Sequence, residues 1–352
     1  MEDLEKFIAG PDITLVEAMR RIDKNVRGIL FIVDEQRRLI GSLTDGDIRR
    51  CIIRTGSVEH MVSEAMLTRT RFFTIGESED PYRYMERMTI SALPLLDTEG
   101  KIIDIYFRER LEDDEIDRKA LADVPVVIMA GGQGTRLYPY TQILPKALIP
   151  IREKTISEHI IDSFRKFGSD RFCFILNHKK NMIKAYFNEL SRDYTVDYVE
   201  EEKVLGTGGG VALLRGKIDK PFILTNCDIL INEDLGKIYR YHKEKENLIT
   251  MVCSVKDYIL PYGVVHIEEN GGIQSMEEKP KFSFLVNTGC YVVEPEVIER
   301  IPQDTCIGFP DVIEECRKSG EKVGIYPISE NAWTDIGTMD LLEEAITRNE
   351  NV

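Results

Sequence analysis

Pro125-Val126-Val127-Ile128-Met129-Ala130-Gly131-Gly132-Gln133-Gly134-Thr135-Arg136-Leu137 is an unbroken apolar run that stops at a glycine-rich turn. A short run without polar alternation reads as a strand buried on both faces, the kind found inside a parallel sheet. Glycines at the strand's C-terminal end let several backbone N–H groups converge on one point, because glycine tolerates positive φ and brings no side chain against an anion. Open α/β sheets bind their ligands along that edge. Arg136 closes the turn, and Lys146 follows in Leu144-Pro145-Lys146. Arginine grips phosphoryl oxygens bidentately, while lysine acts as a compact point charge. An anion nest with two fixed cations suits a triphosphate better than a neutral ligand. Two other phosphate loops are excluded: the turn lacks the Gly-Lys-Ser/Thr ending of a Walker loop, and Leu137 stands where a dinucleotide fingerprint has its last glycine.

Downstream, apolar strand-like runs (Phe172 to Leu176, Phe222 to Thr225, Leu248 to Val255) alternate with helical stretches (His159 to Phe167, Met182 to Leu190, Leu235 to Lys245). Such alternation predicts an α/β fold, a Rossmann-like, mostly parallel sheet with helices on both faces. Phe222-Ile223-Leu224-Thr225-Asn226-Cys227-Asp228 is a strand ending in a carboxylate, and Trp333-Thr334-Asp335 sets a second one beside the only tryptophan. Magnesium takes hard oxygen ligands, commonly one or two carboxylates plus substrate phosphates. Two aspartates converging on one ion would meet that demand, although their distance in sequence says nothing about convergence. Leu205-Gly206-Thr207-Gly208-Gly209-Gly210 precedes a helix expected over Val211 to Leu214, and its small residues would let a flat base lie against the backbone. Further on, Tyr262-Gly263-Val264 opens a strand pair turned at Asn270-Gly271-Gly272, followed by Glu277-Glu278-Lys279 and Asn287-Thr288-Gly289.

The stretch from Ala130 to Pro150 resembles the signature loop of the sugar-1-phosphate nucleotidyltransferases, and the resemblance runs from about Val126 to Ala345. It implies an enzyme that joins a nucleoside triphosphate to a sugar 1-phosphate and releases pyrophosphate. It further implies that Gly131, Gly132, Gly134, Thr135 and Arg136 cradle the triphosphate and that Lys146 neutralises phosphate. Gly206, Thr207 and Gly208 would read the base. Glu278 and Asn287 would take sugar hydroxyls, Gly263 and Gly289 would line the sugar pocket, and Lys279 would bind the sugar phosphate. Asp228 and Asp335 would hold Mg²⁺, with Arg136, Lys146 and Asp228 as the catalytic group. Two positions depart from the family pattern: Ala147 replaces a common proline, and Cys227 replaces the glycine usual before the metal aspartate. The chain ends soon after Asp335, so the acyl-transfer repeat domain of some relatives is not expected.

The N-terminal part carries an internal repeat. Ile29-Leu30-Phe31-Ile32-Val33-Asp34, a turn and Arg38-Leu39-Ile40-Gly41-Ser42-Leu43 are echoed by Ala92-Leu93-Pro94-Leu95-Leu96-Asp97, a turn and Lys101-Ile102-Ile103-Asp104-Ile105-Tyr106. Helices are expected around them, over Thr14 to Asp23 and Asp80 to Met88, and neither copy would bury much core alone. The pair resembles a tandem CBS module. The resemblance implies a regulatory nucleotide held by Thr44 and Asp47 in Gly41-Ser42-Leu43-Thr44-Asp45-Gly46-Asp47, with homo-oligomer formation through CBS pairing. Phe107 and Arg110 occupy the equivalent places in the second copy, so one good nucleotide site per pair is implied. The expected division is residues 1–118 for this α+β module, 119–124 for a linker and 125–352 for the catalytic domain.

With 46 basic against 61 acidic residues, net charge is −15, so nucleic acid is not an expected partner. The cysteines form no Cys-x-x-Cys pair, the start Met1-Glu2-Asp3-Leu4 lacks the apolar core of a signal peptide, and no long apolar run exists. A cytoplasmic protein with reduced thiols and no membrane partner is expected. CBS-fused transferases look like those of bacterial nonulosonate and surface-glycan pathways. That likeness favours GTP as donor and glucosamine 1-phosphate or a mannose-type 1-phosphate as acceptor, with uridylyl or thymidylyl transfer next. The alternative of another class is a nucleotide sensor whose transferase domain has lost activity. Decay would strike Arg136, Lys146, Asp228 or Asp335 first, and all four are present.

Overall fold

The repeat in the N-terminal sequence reappears in the backbone, down to its irregularities. A computed structural model describes residues 4–108, 117–269 and 271–348; Arg110, the charged run 112–116 and Asn270 lie outside them. Strand β1 (Ile8–Ala9) pairs parallel with β2 (Ile29–Val33), which pairs antiparallel with β3 (Leu39–Thr44). Strands β4 (Phe73–Thr74), β5 (Ala92–Leu96) and β6 (Ile102–Phe107) repeat that pattern. Each hairpin shifts register at the matching place, Ile32/Val33 and Leu95/Leu96. Each turn is closed by an aspartate: Asp34 Oδ1 accepts from the N–H groups of Gln36 and Arg38, and Asp97 Oδ1 from those of Glu99 and Lys101.

Helices α1 (Leu15–Asn25), α2 (Asp45–Thr55) and α3 (Pro81–Met88) start at the polar caps Thr14, Thr44 and Asp80. On α1, Leu15, Ala18, Met19 and Ile22 are buried at helical spacing. The two copies share a core of Phe7, Phe31, Ala92, Leu96, Ile102 and Ile105. Pairing thus buries apolar faces that a three-stranded unit would leave wet.

The C-terminal part is built on a seven-stranded sheet. Its strands are β7 (Val126–Ala130), β10 (Arg171–Leu176), β11 (Thr195–Glu200), β12 (Phe222–Asn226), β14 (Ile249–Ile259), β17 (Lys281–Val293) and β18 (Val323–Ile328), in the order β11-β10-β7-β12-β17-β14-β18. Short ladders β8–β9 (Pro150–Ile151 with Lys154–Thr155) and β13–β19 (Ile229–Ile231 with Trp333–Asp335) stand apart from it. Pairs β11/β10, β10/β7, β7/β12 and β14/β18 are parallel, and β12/β17 is antiparallel. Strand β7 lies inside the sheet, between β10 and β12, and is wholly buried. Val126, Ile128 and Ala130 enter the core on one face, while Val127 and Met129 enter the core on the other. Two-sided burial is the reason its sequence shows no alternation. Helices α4 (Tyr140–Ile143), α5 (Ile156–Arg165), α6 (Lys180–Glu189), α7 (Gly206–Val211), α8 (Leu235–Lys245), α9 (Glu296–Arg300), α10 (Phe309–Lys318) and α11 (Met339–Arg348) complete this part. Helix α5 opens with a capping box, Thr155 with Glu158.

Three features differ from the sequence reading. The segment 119–124, expected as a linker, is packed: Leu121 and Val124 are buried, and Leu121 N–H donates to Phe167 O at 2.9 Å. The glycines from Gly206 to Gly210, expected as a loop before a helix, are themselves the first turns of α7. Glycine is a poor helix former, but a Cβ on Gly209 would stand 2.2 Å from Thr305 O and one on Gly208 2.8 Å from Gly308 O. Close packing against 305–308 overrides propensity there. Finally, the compact units do not follow the chain: one comprises Met1–Asp114 with Val255–Val286, the other Glu115–Ser254 with Asn287–Val352. The hairpin β15–β16 (Val264–Ile267 with Ile273–Glu277) therefore belongs to the first unit. There Val255 joins the core of the first repeat, and Asp257 pairs with Arg20 and Lys281.

Candidate active site

Strand order decides where the site forms. From β7 the chain goes outward to β10 and β11, then returns to β12 on the other side of β7. Parallel neighbours that lead off in opposite directions leave a crevice at their C-terminal ends. Asn226 is in register with Met129, so the glycine turn after β7 and the Asn226-Cys227-Asp228 corner after β12 emerge side by side.

The turn is shaped around its glycines. Gly134 has φ +65°, and a Cβ on it would lie 2.9 Å from Thr141 Cγ2 and 3.1 Å from Lys146 Cβ. Both conformation and space demand glycine there. A cavity of about 320 Å³ opens beside the turn, lined by Gly131, Gly132, Gly134, Thr135, Arg136 and Lys146. Across it stand Glu201, Val204, Gly206, Thr207, Asn226 and Asp228.

A second cavity, of about 280 Å³, is lined by Leu224, Ile229, Asn287, Thr288, Gly289, Tyr291, Phe309, Trp333 and Asp335. Met129, Arg136, Thr207, Asn226 and Asp228 line both. The two are adjoining lobes with a charged wall in common.

The two aspartates do converge. Ile229 pairs with Asp335 across the β13–β19 ladder, and Ile336 N–H donates to Asp228 O at 2.8 Å. Burial and the neighbouring Asp228 push the Asp335 carboxyl up, against the pull of Lys146, Arg136 and the Gly337 amide. Buried Lys146 donates from Nζ to Asp228 Oδ2. Two hard carboxylates held together by the fold, one destabilised by the other, form a donor set that suits a hard divalent cation. Among the described residues no group of three or more His, Cys, Asp or Glu could hold a metal by itself. Such an ion would complete its shell with phosphate and water. Cys227, next to Asp228, is buried, and its thiol is pushed up to about 12 by burial and by Asp228. It remains a neutral thiol at the cavity wall.

The base and sugar residues divide. Gly206 and Thr207 line the first lobe, but Gly208 is buried and donates its amide to Ile307 O at 2.9 Å. Thr207 Oγ1 accepts from Phe309 N–H at 2.9 Å, tying α7 to α10. Asn287 and Gly289 line the second lobe, where Asn287 Nδ2 donates to Tyr291 Oη at 2.7 Å and Asn287 Oδ1 accepts from Gly289 N–H at 2.8 Å. Gly263, Glu278 and Lys279 belong to the first compact unit. They are exposed residues of the 255–286 segment, where a Cβ on Gly263 would meet Glu278 Oε2 at 3.0 Å. Thr44 and Asp47 form the capping box of α2: Asp47 N–H donates to Thr44 Oγ1 at 3.3 Å, and Asp47 Oδ2 accepts from Thr44 N–H at 2.9 Å and Oγ1 at 2.6 Å.

Sequence reasoning missed Glu201. It is only 6% exposed yet lines the first lobe, and Asn177 Nδ2 donates to its Oε2 at 3.4 Å. Burial raises its carboxyl against that hydrogen bond. Within Glu200-Glu201-Glu202-Lys203 it reads as part of a solvated charge run. Its one distinguishing sign is its place two residues beyond buried Val199, on the same side of the alternation as that core residue.

A family model described as nucleotidyl transferase matches residues 125–351. The chain belongs to the nucleotidyl transferase family. A CBS domain model matches residues 4–54, the first of the two copies. This nucleotidyl transferase is 31% identical over 245 residues to a UTP–glucose-1-phosphate uridylyltransferase of Synechocystis, and 28% identical over 224 residues to a mannose-1-phosphate guanylyltransferase of Mycobacterium tuberculosis. Each alignment covers 62% of this chain and 62% of the relative, so the chain spans under two thirds of these relatives' length. Among solved structures it is similar to HddC from Yersinia pseudotuberculosis, one form of which is complexed with GMP-PN. That likeness has a TM-score of 0.51 at 23% identity and covers 64% of this chain and 99% of the other, a match of fold. No helix among the described residues is long and apolar enough to cross a membrane.

Proposed function

We propose that this nucleotidyl transferase moves a nucleotidyl group from a nucleoside triphosphate to a sugar 1-phosphate, forming a nucleotide-diphospho-sugar and pyrophosphate. The supporting observation is the pair of adjoining lobes whose shared wall carries Arg136 and Asp228. The lobe with the glycine turn and Lys146 takes the triphosphate. The lobe with the Asn287 amide and the aromatic residues Tyr291, Phe309 and Trp333 takes the sugar, and the reacting phosphates meet at the wall.

An ionised phosphate oxygen of the sugar 1-phosphate attacks the α-phosphorus in line, and the bond to the pyrophosphate oxygen breaks. The nucleophile is already an anion near neutral pH, so no general base is needed, and positioning and charge neutralisation carry the catalysis. Arg136 and the glycine-turn amides offset charge as it grows on the transferring and leaving groups. Lys146 holds Asp228 in place and adds a second cation. Mg²⁺ is the cofactor that Asp228 and Asp335 would hold, and when bound it supplies charge neutralisation for the phosphates.

Guanine is the base this pocket favours. The Glu201 carboxylate, when ionised, accepts and cannot donate. Guanine offers it two adjacent donors, N1–H and the 2-amino group, whereas uracil and thymine offer one N–H flanked by carbonyl oxygens. A site built around such a pair rejects the base lacking it. GTP with glucosamine 1-phosphate or a mannose-type 1-phosphate is therefore the first combination to test.

Pyrophosphate release should be measured across GTP, ATP, UTP and dTTP against several sugar 1-phosphates with Mg²⁺. Release with GTP that requires one of the sugars supports the whole reading. Release with UTP or dTTP alone would retain the reaction and remove the guanine assignment. No release with any combination would remove the reaction.

A further inference from the structure

The segment leaving β10, Asn177-His178-Lys179, meets the phosphate loop at Gly131. His178 N–H donates to Gly131 O at 3.4 Å, and Asn177 Cβ lies 3.3 Å from where a side chain on Gly131 would begin. One residue on, Lys179 Nζ donates to Thr141 O at 2.7 Å and to Gln142 O at 2.6 Å. Those carbonyls belong to the four-residue helix α4, which is too short to satisfy them within itself. An ammonium at the C-terminal end of a helix is favourably placed against such carbonyls.

Thr141 carries the contact inward. It is buried, and its methyl Cγ2 occupies the space where a side chain on Gly134 would begin, at 2.9 Å. Lys146, which donates to Asp228, packs on the same glycine, its Cβ at 3.1 Å from that point. The Lys179 ammonium, the Thr141 carbonyl, the Thr141 methyl and Gly134 thus form one line of contacts ending at the anion nest. Lys179 itself does not line the lobe beside the turn. It also holds a left-handed backbone, φ 52° and ψ 30°, a conformation uncommon for a residue with a side chain.

We propose that Lys179 is a positioning residue of the triphosphate site: by gripping the Thr141 and Gln142 carbonyls it sets how closely the glycine turn and Lys146 approach one another. This rests on the reading of the turn as a triphosphate nest.

The test is calorimetric titration of the full chain with inorganic tripolyphosphate, a probe independent of base and sugar. Lys179→Met should weaken tripolyphosphate roughly tenfold, the low end of what a charge-assisted hydrogen bond contributes. Lys179→Arg, which keeps the charge and the donors, should recover most of that loss. Thr141→Ser removes the methyl without changing charge and should weaken binding in the same direction. Combined with Lys179→Met it should add little, because both act through one line of contacts. Wild-type affinity in Lys179→Met, or losses from the two changes that multiply independently, would overturn the assignment. Should Lys179→Met fail to fold, Thr141→Ser decides alone, and unchanged affinity there overturns it equally. If the wild-type chain does not bind tripolyphosphate, the nest reading fails first and takes this inference with it.

Discussion

Asp228 is where the two lobes and both signs of charge meet. It lines both cavities, pairs with Lys146 and raises the carboxyl of Asp335. Asp228→Asn keeps the shape and removes the charge, so kcat should fall by about two orders of magnitude or more, the scale of a lost preorganised electrostatic group. Wild-type kcat in that variant at limiting Mg²⁺ would contradict the assignment. Glu201 makes the matching prediction for the base. Glu201→Gln gives the pocket a donor and an acceptor in place of two acceptors. The ratio of kcat/KM for GTP over UTP should then drop by roughly tenfold or more, measured by pyrophosphate release with each donor. The two residues differ in how far the sequence reveals them. Asp228 ends an apolar strand and stands out, as do Arg136 and Lys146 beside their glycines. Glu201 hides among like charges, and only the fold shows that it turns inward.

At the scale of elements, α7 shows tertiary packing overriding propensity. Gly209→Ala would gain about 1 kcal/mol of helix propensity. Its new Cβ, however, would lie 2.2 Å from Thr305 O, a backbone atom unable to rotate away. Overpacking of about 1–3 kcal/mol should win, so the urea midpoint should fall. A rise would show that 305–308 yields easily. The sequence showed these glycines but not the segment packed on them, which is why a loop was expected.

Helix α8 carries a pH-dependent contact of its own. His242 is fully buried, with Nδ1 at 2.8 Å from Thr250 Oγ1 and Nε2 at 3.3 Å from Glu294 Oε1, which also accepts from Lys243 at 2.7 Å. Burial pulls its imidazole below the ordinary value of 6.5, against the opposing carboxylate of Glu294. The unfolded chain then binds the extra proton first, so stability is full above about pH 6.5 and is lost as pH falls below it. The melting temperature should decline from about pH 7 to about pH 5.5, and His242→Gln should flatten that decline. An equal slope in the variant would place the titrating group elsewhere.

For the whole molecule, net charge of −15 makes the local cations of the phosphate lobe stand out, and composition alone argued for finding them. The repeat of the N-terminal module was legible because its two turns use the same aspartate chemistry, Asp34 and Asp97. The grouping of 255–286 with that module was not legible. It depends on contacts such as Arg20 with Asp257, between residues far apart in sequence. A regulatory nucleotide at Thr44 and Asp47 would raise the melting temperature of the full chain beyond any shift that survives in Asp47→Ala. Because Asp47 also completes the capping box of α2, the unliganded variant should itself melt at a lower temperature. Nucleotide shifts identical in both proteins would remove the regulatory assignment.

Everything rests on attack at the α-phosphorus between two adjoining lobes. GTP labelled at the α-phosphorus in one reaction and at the γ-phosphorus in another, each with a sugar 1-phosphate and Mg²⁺, reports on that step directly. The α-label should appear in the nucleotide-sugar and the γ-label in pyrophosphate, in equal amounts. Release of the γ-label as inorganic phosphate, or its transfer to the sugar, would contradict the account.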